Sequence, residues 1–145
     1  MKLLAISSFG GHWFQLVRLK NALSKFDTYY ATCERNSDIE ESFVIRDCSG
    51  SDSVFRIFFC SITYLFLLLR LRPKIVISTG ALPGLIIIVF AKLIFRSRTV
   101  WIDSIANGDE ISRSGMNARY FSDVWLTQWP ELAESTGAEF IGSVL

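Results

Sequence analysis

The chain has 145 residues, 15 Lys and Arg against 14 Asp and Glu, and a net charge of +1. Near-neutral charge excludes the basic footprint of a nucleic-acid binder. A composition that is 50% hydrophobic and 14% aromatic, with a mean hydropathy of +0.34, excludes a disordered chain. The length suits one domain, residues 1–145, with a real core, and is too short for two nucleotide-binding-sized lobes.

Lys2 to Ser7 is a short apolar run that feeds Gly10-Gly11, the pattern of a buried strand entering a glycine turn. It is too short for an export signal and is expected to be the first strand. From Trp13, residues Leu16, Leu19, Leu23 and Phe26 recur at i, i+3, i+7 and i+10, which predicts one face of a helix. Thr28 to Thr32 is a second strand, and the polar stretch Cys33 to Ser42 a surface loop. Val54 to Leu71 is a long apolar helix stopped by Arg72-Pro73.

Lys74 to Ser78 is a β-branched strand, Gly84 to Phe95 a helix and Thr99 to Ile102 another strand. Val124 to Thr127 and Glu139 to Ile141 complete the expected strands, with short helical pieces between them. Apolar strands alternating with helices predict an α/β domain with a mostly parallel sheet, covered on both faces.

In such a sheet, ligands bind beyond the carboxyl ends of the strands. Three loops there stand out. Ser8-Phe9-Gly10-Gly11-His12 opens a helix whose free N–H groups suit phosphate, although a tight strand-to-helix turn would read the same way. His12, the sole histidine, could act as a base or bind a hydroxyl, or merely make a structural hydrogen bond. Ser78-Thr79-Gly80-Ala81-Leu82-Pro83-Gly84 suits a diphosphate or is an ordinary turn. Asp103, ending an apolar strand before Ser104, is expected to aim its carboxylate into the same crevice, or else to make an Asx turn.

Cys33, Cys48 and Cys60 are odd in number, lack a CxxC, and read as inert thiols of a reducing compartment. With one histidine and no Asp-x-Asp, the sequence offers neither a zinc ligand set nor a divalent-metal clamp, so no metal or other cofactor is expected. A Walker loop and a nucleophile elbow are both missing, which argues against a self-contained NTPase or hydrolase.

The apolar excess lies in two runs, Ile57 to Leu69 and Ala81 to Phe95. The first is about 20 Å long as a helix, short of the roughly 30 Å hydrocarbon core. Arg70, Arg72, Lys74, Lys92, Arg96 and Arg98 flank the two. They are either core helices or a monotopic surface dipping into an anionic leaflet.

The series Ser7-Ser8-Phe9-Gly10-Gly11-His12, Ile77-Ser78-Thr79-Gly80 and Trp101-Ile102-Asp103-Ser104 resembles the oligosaccharide biosynthesis protein Alg-fourteen-like family. Ile111 to Gly115, Gln128-Trp129-Pro130 and Phe140-Ile141-Gly142 continue the likeness over nearly the whole length. The resemblance implies a single Rossmann-like domain corresponding to the N-terminal, acceptor-binding half of a GT-B glycosyltransferase. It implies a two-component, UDP-sugar-dependent enzyme, N-acetylglucosaminyl or a related hexosyl transferase, of the kind used in lipid-linked oligosaccharide, capsule or exopolysaccharide synthesis.

Within it, this chain would bind a polyprenyl-diphosphate-sugar acceptor on the cytoplasmic face of the membrane and be inactive without a donor-binding partner. His12 and Asp103 would be its catalytic residues, although the family more often has Glu at the second position. Ser8, Gly10, Gly11, Ser78, Thr79, Gly80 and Ser104 would line the acceptor diphosphate site. Trp129 and Phe140 would meet the partner. Eukaryotic members begin with a membrane anchor; here attachment would rest on the apolar helices or the partner. A membrane scaffold that activates a complete transferase, and a stand-alone nucleotide-binding protein, are the competing readings.

Overall fold

The structure is a computed structural model that describes residues 1–35, 39 and 42–144. Six parallel strands form one sheet in the order β3-β2-β1-β4-β5-β6. They are β1 (Lys2–Ile6), β2 (Asp27–Thr32), β3 (Ser42–Val44), β4 (Ile75–Ser78), β5 (Arg98–Ile102) and β6 (Val124–Leu126). The connecting helices are α1 (Gly11–Arg18), α2 (Lys20–Leu23), α3 (Val54–Leu71), α4 (Ala81–Leu93), α5 (Arg113–Ala118) and α6 (Pro130–Thr136). The alternating pattern predicted the parallel sheet between helices; its strand order is the doubly wound Rossmann one that the resemblance implied. Its topological switch point lies between β1 and β4, where the chain reverses its direction of winding.

Alternation along the strands divides the core. Leu4, Ile6, Val76 and Trp101 face α3, α4 and α5, packing on Tyr64, Leu68, Ile87, Ile88 and Ala118. Leu3, Ala5 and Ile77 face the other way, against Trp13 and Leu16 of α1 and Leu23 of α2. Beyond α1 this second face is thin. Leu19, Ile102 and Leu126 border a groove of about 190 Å³ across which residues 141–144 are laid.

Four expectations need correction. The helix from Trp13 is interrupted: the Leu19 N–H bonds the Leu16 carbonyl at 3.0 Å, a tightened turn that ends α1. Phe26, beyond α2, is exposed. The helix placed at Gly84 starts three residues earlier, because Pro83 fits the first turn, where no N–H is needed. Glu139 to Ile141 forms a single bridge, Leu126 to Glu139, rather than a strand, since Phe140 and Ile141 turn into solvent. The expected loop Cys33 to Ser42 lies partly outside the described residues, and its last residue opens β3, an edge strand that the sequence reading lacked.

The cysteines are free thiols, with Cys48 and Cys60 buried and Cys33 half-buried. Burial pushes the Cys33 and Cys48 thiols up, away from reactivity.

The long apolar helix α3 has 18 residues and a mean hydropathy of 1.9, enough in length and composition to cross a membrane. The earlier length of about 20 Å counted only its uninterrupted centre; 18 residues give about 27 Å. Its inner face nevertheless belongs to the core through Cys60, Tyr64, Leu67, Leu68 and Leu71. The Tyr64 hydroxyl ties it to the Arg46 carbonyl at 2.5 Å. Its outer face is equally apolar and carries Phe55, Phe58, Phe59, Phe66 and Leu69 in the open. Leu93 and Ile94 at the end of α4 are exposed as well. Arg72 and Lys74 line the same cleft as Leu69 and Ile94, while Arg96, Arg98 and Lys92 border the next.

Candidate functional site

The loops following β1 and β4 meet at the switch point. His12, in the first turn of α1, places Nδ1 2.9 Å from the Thr79 carbonyl at the end of β4. The Thr79 hydroxyl returns the bond, donating to the His12 carbonyl at 2.7 Å. These two bonds join the start of α1 to the end of β4, although 67 residues separate them in the chain. His12 is half-buried, and its other ring nitrogen has no partner among the described residues.

Glycine begins both helices at this crevice. Gly10 precedes α1 at φ 81° and Gly80 precedes α4 at φ 136°, and neither helix has a side-chain cap. By contrast, α3 is capped by Ser53 and α5 by Ser112. Uncapped first turns leave backbone N–H groups and the positive ends of two helix dipoles for an anion. Around Gly10 and Gly11 a Cβ would meet nothing within 4 Å, so the loop is open there. We therefore expect Gly11→Val to fold with near-native stability yet weaken the binding of a diphosphate at this crevice by about tenfold or more, the worth of one hydrogen bond to a charged group. Unchanged binding, or a loss of stability along with it, would show the loop to be a structural turn only, and thermal melting alongside a binding titration separates these outcomes.

The hydroxyls expected to bind phosphate are used within the protein. Ser78 Oγ accepts from the Gly80 N–H at 3.3 Å and fills the space a Cβ on Gly84 would need. Ser104 Oγ accepts from Gln15 at 3.2 Å and from the Ala106 N–H at 3.3 Å. Ser8 is buried, its hydroxyl turned to the Phe9 carbonyl at a long 3.5 Å. These side chains build the loops, and what remains at the crevice is the backbone N–H groups of the two first turns.

Asp103 requires a correction. Its carboxylate is 1% exposed and accepts four hydrogen bonds: from Trp101 Nε1 at 3.2 Å, Asn107 Nδ2 at 3.0 Å, and the Ser112 N–H and hydroxyl at 3.0 and 2.6 Å. Such a carboxylate is a buried anchor for the loop from Ser104 to Ser112, with no lone pair turned toward the crevice. It shares the strand face of Trp101, two residues earlier, which points beneath α4 and α5. Gly115 passes so close that a Cβ there would lie 2.5 Å from Oδ1.

Sequence reasoning missed Gln15, and Gln128 entered only as part of the Gln128-Trp129-Pro130 motif, with no role. Both are buried, and Gln128 Nε2 donates to Gln15 Oε1 at 3.0 Å and to the Asp103 carbonyl at 2.9 Å. Gln128 Oε1 accepts the Val144 N–H at 3.0 Å. This chain of amides runs from the C-terminal segment to the helix that carries His12. Of the two expected interface residues, Trp129 is engaged internally. Its indole donates to the Ile105 carbonyl at 2.8 Å and packs over Gly108. Phe140 remains exposed.

The relatives of this chain agree with the architecture. The UDP-N-acetylglucosamine transferase subunit ALG14 of Mus musculus is 25% identical over 169 residues, covering 92% of this chain and 78% of that protein. The ALG14 subunit of Eremothecium gossypii is 28% identical over 71 residues, or 46% of this chain and 32% of that protein. Among solved structures, MurG of Acinetobacter baumannii superposes with a TM-score of 0.73 at 10% identity, over 100% of this chain and 46% of that one. A UDP-N-acetylglucosamine 2-epimerase from Rickettsia bellii gives 0.76 at 12% identity, over 99% and 45%. At these identities the two structures establish the fold, and the chain spans less than half the length of either. Residues 14–144 match the family described as oligosaccharide biosynthesis protein Alg14 like, and the chain belongs to that family.

Proposed function

We propose that this protein is the acceptor-binding half of a two-chain glycosyltransferase, holding a polyprenyl-diphosphate-linked sugar on the cytoplasmic face of the membrane. The observation that carries this reading is the meeting of two glycine-begun helix N-termini and one histidine at the switch point of the sheet. An acceptor diphosphate lies against the free N–H groups of α1 and α4, where charge-assisted bonds to backbone donors are strong. Its sugar hydroxyl reaches His12, and its lipid leaves toward the apolar outer face of α3 and the end of α4.

His12 then has one task. As the acceptor oxygen forms its bond to the anomeric carbon of a UDP-sugar, the carbon–oxygen bond to UDP breaks and UDP departs with the electron pair. The unpartnered ring nitrogen of His12 takes the acceptor proton. Asp103 acts at one remove, fixing the loop whose Ser104 holds Gln15 on the same helix as His12.

The donor comes from the partner. One crevice on a single domain offers walls for one substrate, whereas transfer needs both, enclosed together away from water. The exposed pair Phe140 and Ile141, at the edge of the groove crossed by residues 141–144, supplies an apolar contact for that second chain. Reconstitution tests the reading. The purified chain should transfer no sugar from UDP-N-acetylglucosamine to a lipid-diphosphate acceptor, and adding a donor-binding partner should restore transfer. Robust transfer by this chain alone would overturn it.

A further inference from the structure

We infer that Gly80 is a positioning residue for His12: its missing Cβ leaves the seat of the imidazole, and the Thr79 carbonyl determines which ring nitrogen carries the proton. The catalytic meaning of this inference rests on the proposed role of His12, whereas its geometry stands without it.

The seat is tight. A Cβ built on Gly80 would lie 2.4 Å from His12 Nδ1, 2.5 Å from Cε1 and 3.3 Å from Cγ. Three ring atoms therefore occupy the volume that any other residue would fill at this position. The backbone is shaped to suit: Gly80 at φ 136° is followed by Ala81 at φ 65°, two consecutive residues with positive φ. A positive φ at a non-glycine residue such as Ala81 persists only where the surroundings impose it.

The same turn sets the tautomer. A carbonyl oxygen can only accept, so the 2.9 Å contact requires a proton on Nδ1. A neutral imidazole has one N–H; with it on Nδ1, the lone pair is left on Nε2, which no described residue engages. Free histidine in water prefers the opposite tautomer. Thr79 thus orients the ring as a carboxylate does in other base–orienter pairs, while contributing no negative charge. The Thr79 hydroxyl bonded to the His12 carbonyl keeps the two backbones in register. An imidazole presented in this way is ready to receive a proton at Nε2, and displacing it by even about 1 Å is costly in a positioned reaction.

Because His12 is the only histidine, its ring nitrogens can be observed directly by ¹⁵N NMR in the full chain, labelled at histidine, with no partner or substrate present. At a pH where the ring is neutral, the expected spectrum has the proton-bearing signal at Nδ1. A neutral ring protonated mainly at Nε2 would overturn the inference. A double-mutant cycle gives a second readout. Gly80→Ala should lower Tm, and the loss should shrink in a His12→Ala background, where the clashing ring is gone and only backbone strain remains. Equal losses in both backgrounds would also overturn it. In the reconstituted enzyme, Gly80→Ala should lower kcat by about 10²-fold. If the spectrum and the cycle come out as expected but kcat is unchanged, the seat is real and the catalytic role proposed for His12 is refuted.

Discussion

Replacing His12 with alanine should lower sugar transfer by the reconstituted two-chain enzyme about 10²–10⁴-fold, the usual worth of a positioned general base. The folded chain and its hold on the partner should survive. His12 is half-buried at the rim of the crevice, and its side chain makes one hydrogen bond, to Thr79. The backbone brace from the Thr79 hydroxyl to the His12 carbonyl needs no imidazole and remains in the variant. Stability should therefore fall by about 0.5–1.5 kcal/mol, the net value of one hydrogen bond. A transfer assay on the intact complex, with co-purification as the control, checks both. Full activity in that variant would instead favour the membrane scaffold, which activates a transferase without touching the acceptor.

The second large effect is expected at the membrane. Placing aspartate at both Phe58 and Phe66 should abolish the sedimentation of the protein with anionic vesicles. Both side chains are exposed, at 59% and 67%, on the outer face of α3, so the core beneath is undisturbed. Each buried phenylalanine contributes about 1.5–3 kcal/mol, and each charge near an anionic surface about 1 kcal/mol. Losing two of the former and adding two repulsive charges should weaken binding by at least about 100-fold, at 1.4 kcal/mol per tenfold. Wild-type protein should be partly released by salt, because Arg72 and Lys74 share a cleft with Leu69 at the end of this face. Vesicle binding unchanged by the double substitution would show that α3 does not dock there.

Where the sequence carried a strong local signal, the fold was legible. Val54–Leu71 was read as an apolar run stopped by Arg72-Pro73, and the helix has those limits, with Ser53 capping its start in the structure. The strands β1, β4 and β5 are apolar runs each closed by a turn, and they form the centre of the sheet. What escaped was decided by tertiary contacts. β3 has three residues and pairs on one side only, so its composition carries no strand pattern. Leu16, Leu19 and Leu23 keep their spacing straight through the break at Leu19, which periodicity cannot register.

In the site, glycines and His12 were visible because turns and helix starts impose a local chemistry. The pairing of Gln15 with Gln128 was not, since 113 residues separate them and a polar residue in a helix, as Gln15 is, ordinarily faces water. Gln15 lies between the buried Trp13 and Leu16, and that inward position was its one available signal. Asp103 carried a usable clue that was passed over. The two-residue repeat of a strand puts its side chain on the face of Trp101, toward the core rather than the crevice.

On the proposed function, this crevice takes the acceptor and leaves the donor to another chain. Titrating the isolated protein with a short-chain polyprenyl-diphosphate sugar and, separately, with UDP-N-acetylglucosamine tests it most directly. The lipid diphosphate should bind saturably, more weakly in Gly11→Val, and the nucleotide sugar should not bind saturably. Micromolar binding of UDP-N-acetylglucosamine with none of the lipid diphosphate would contradict it, and would make this domain a nucleotide site.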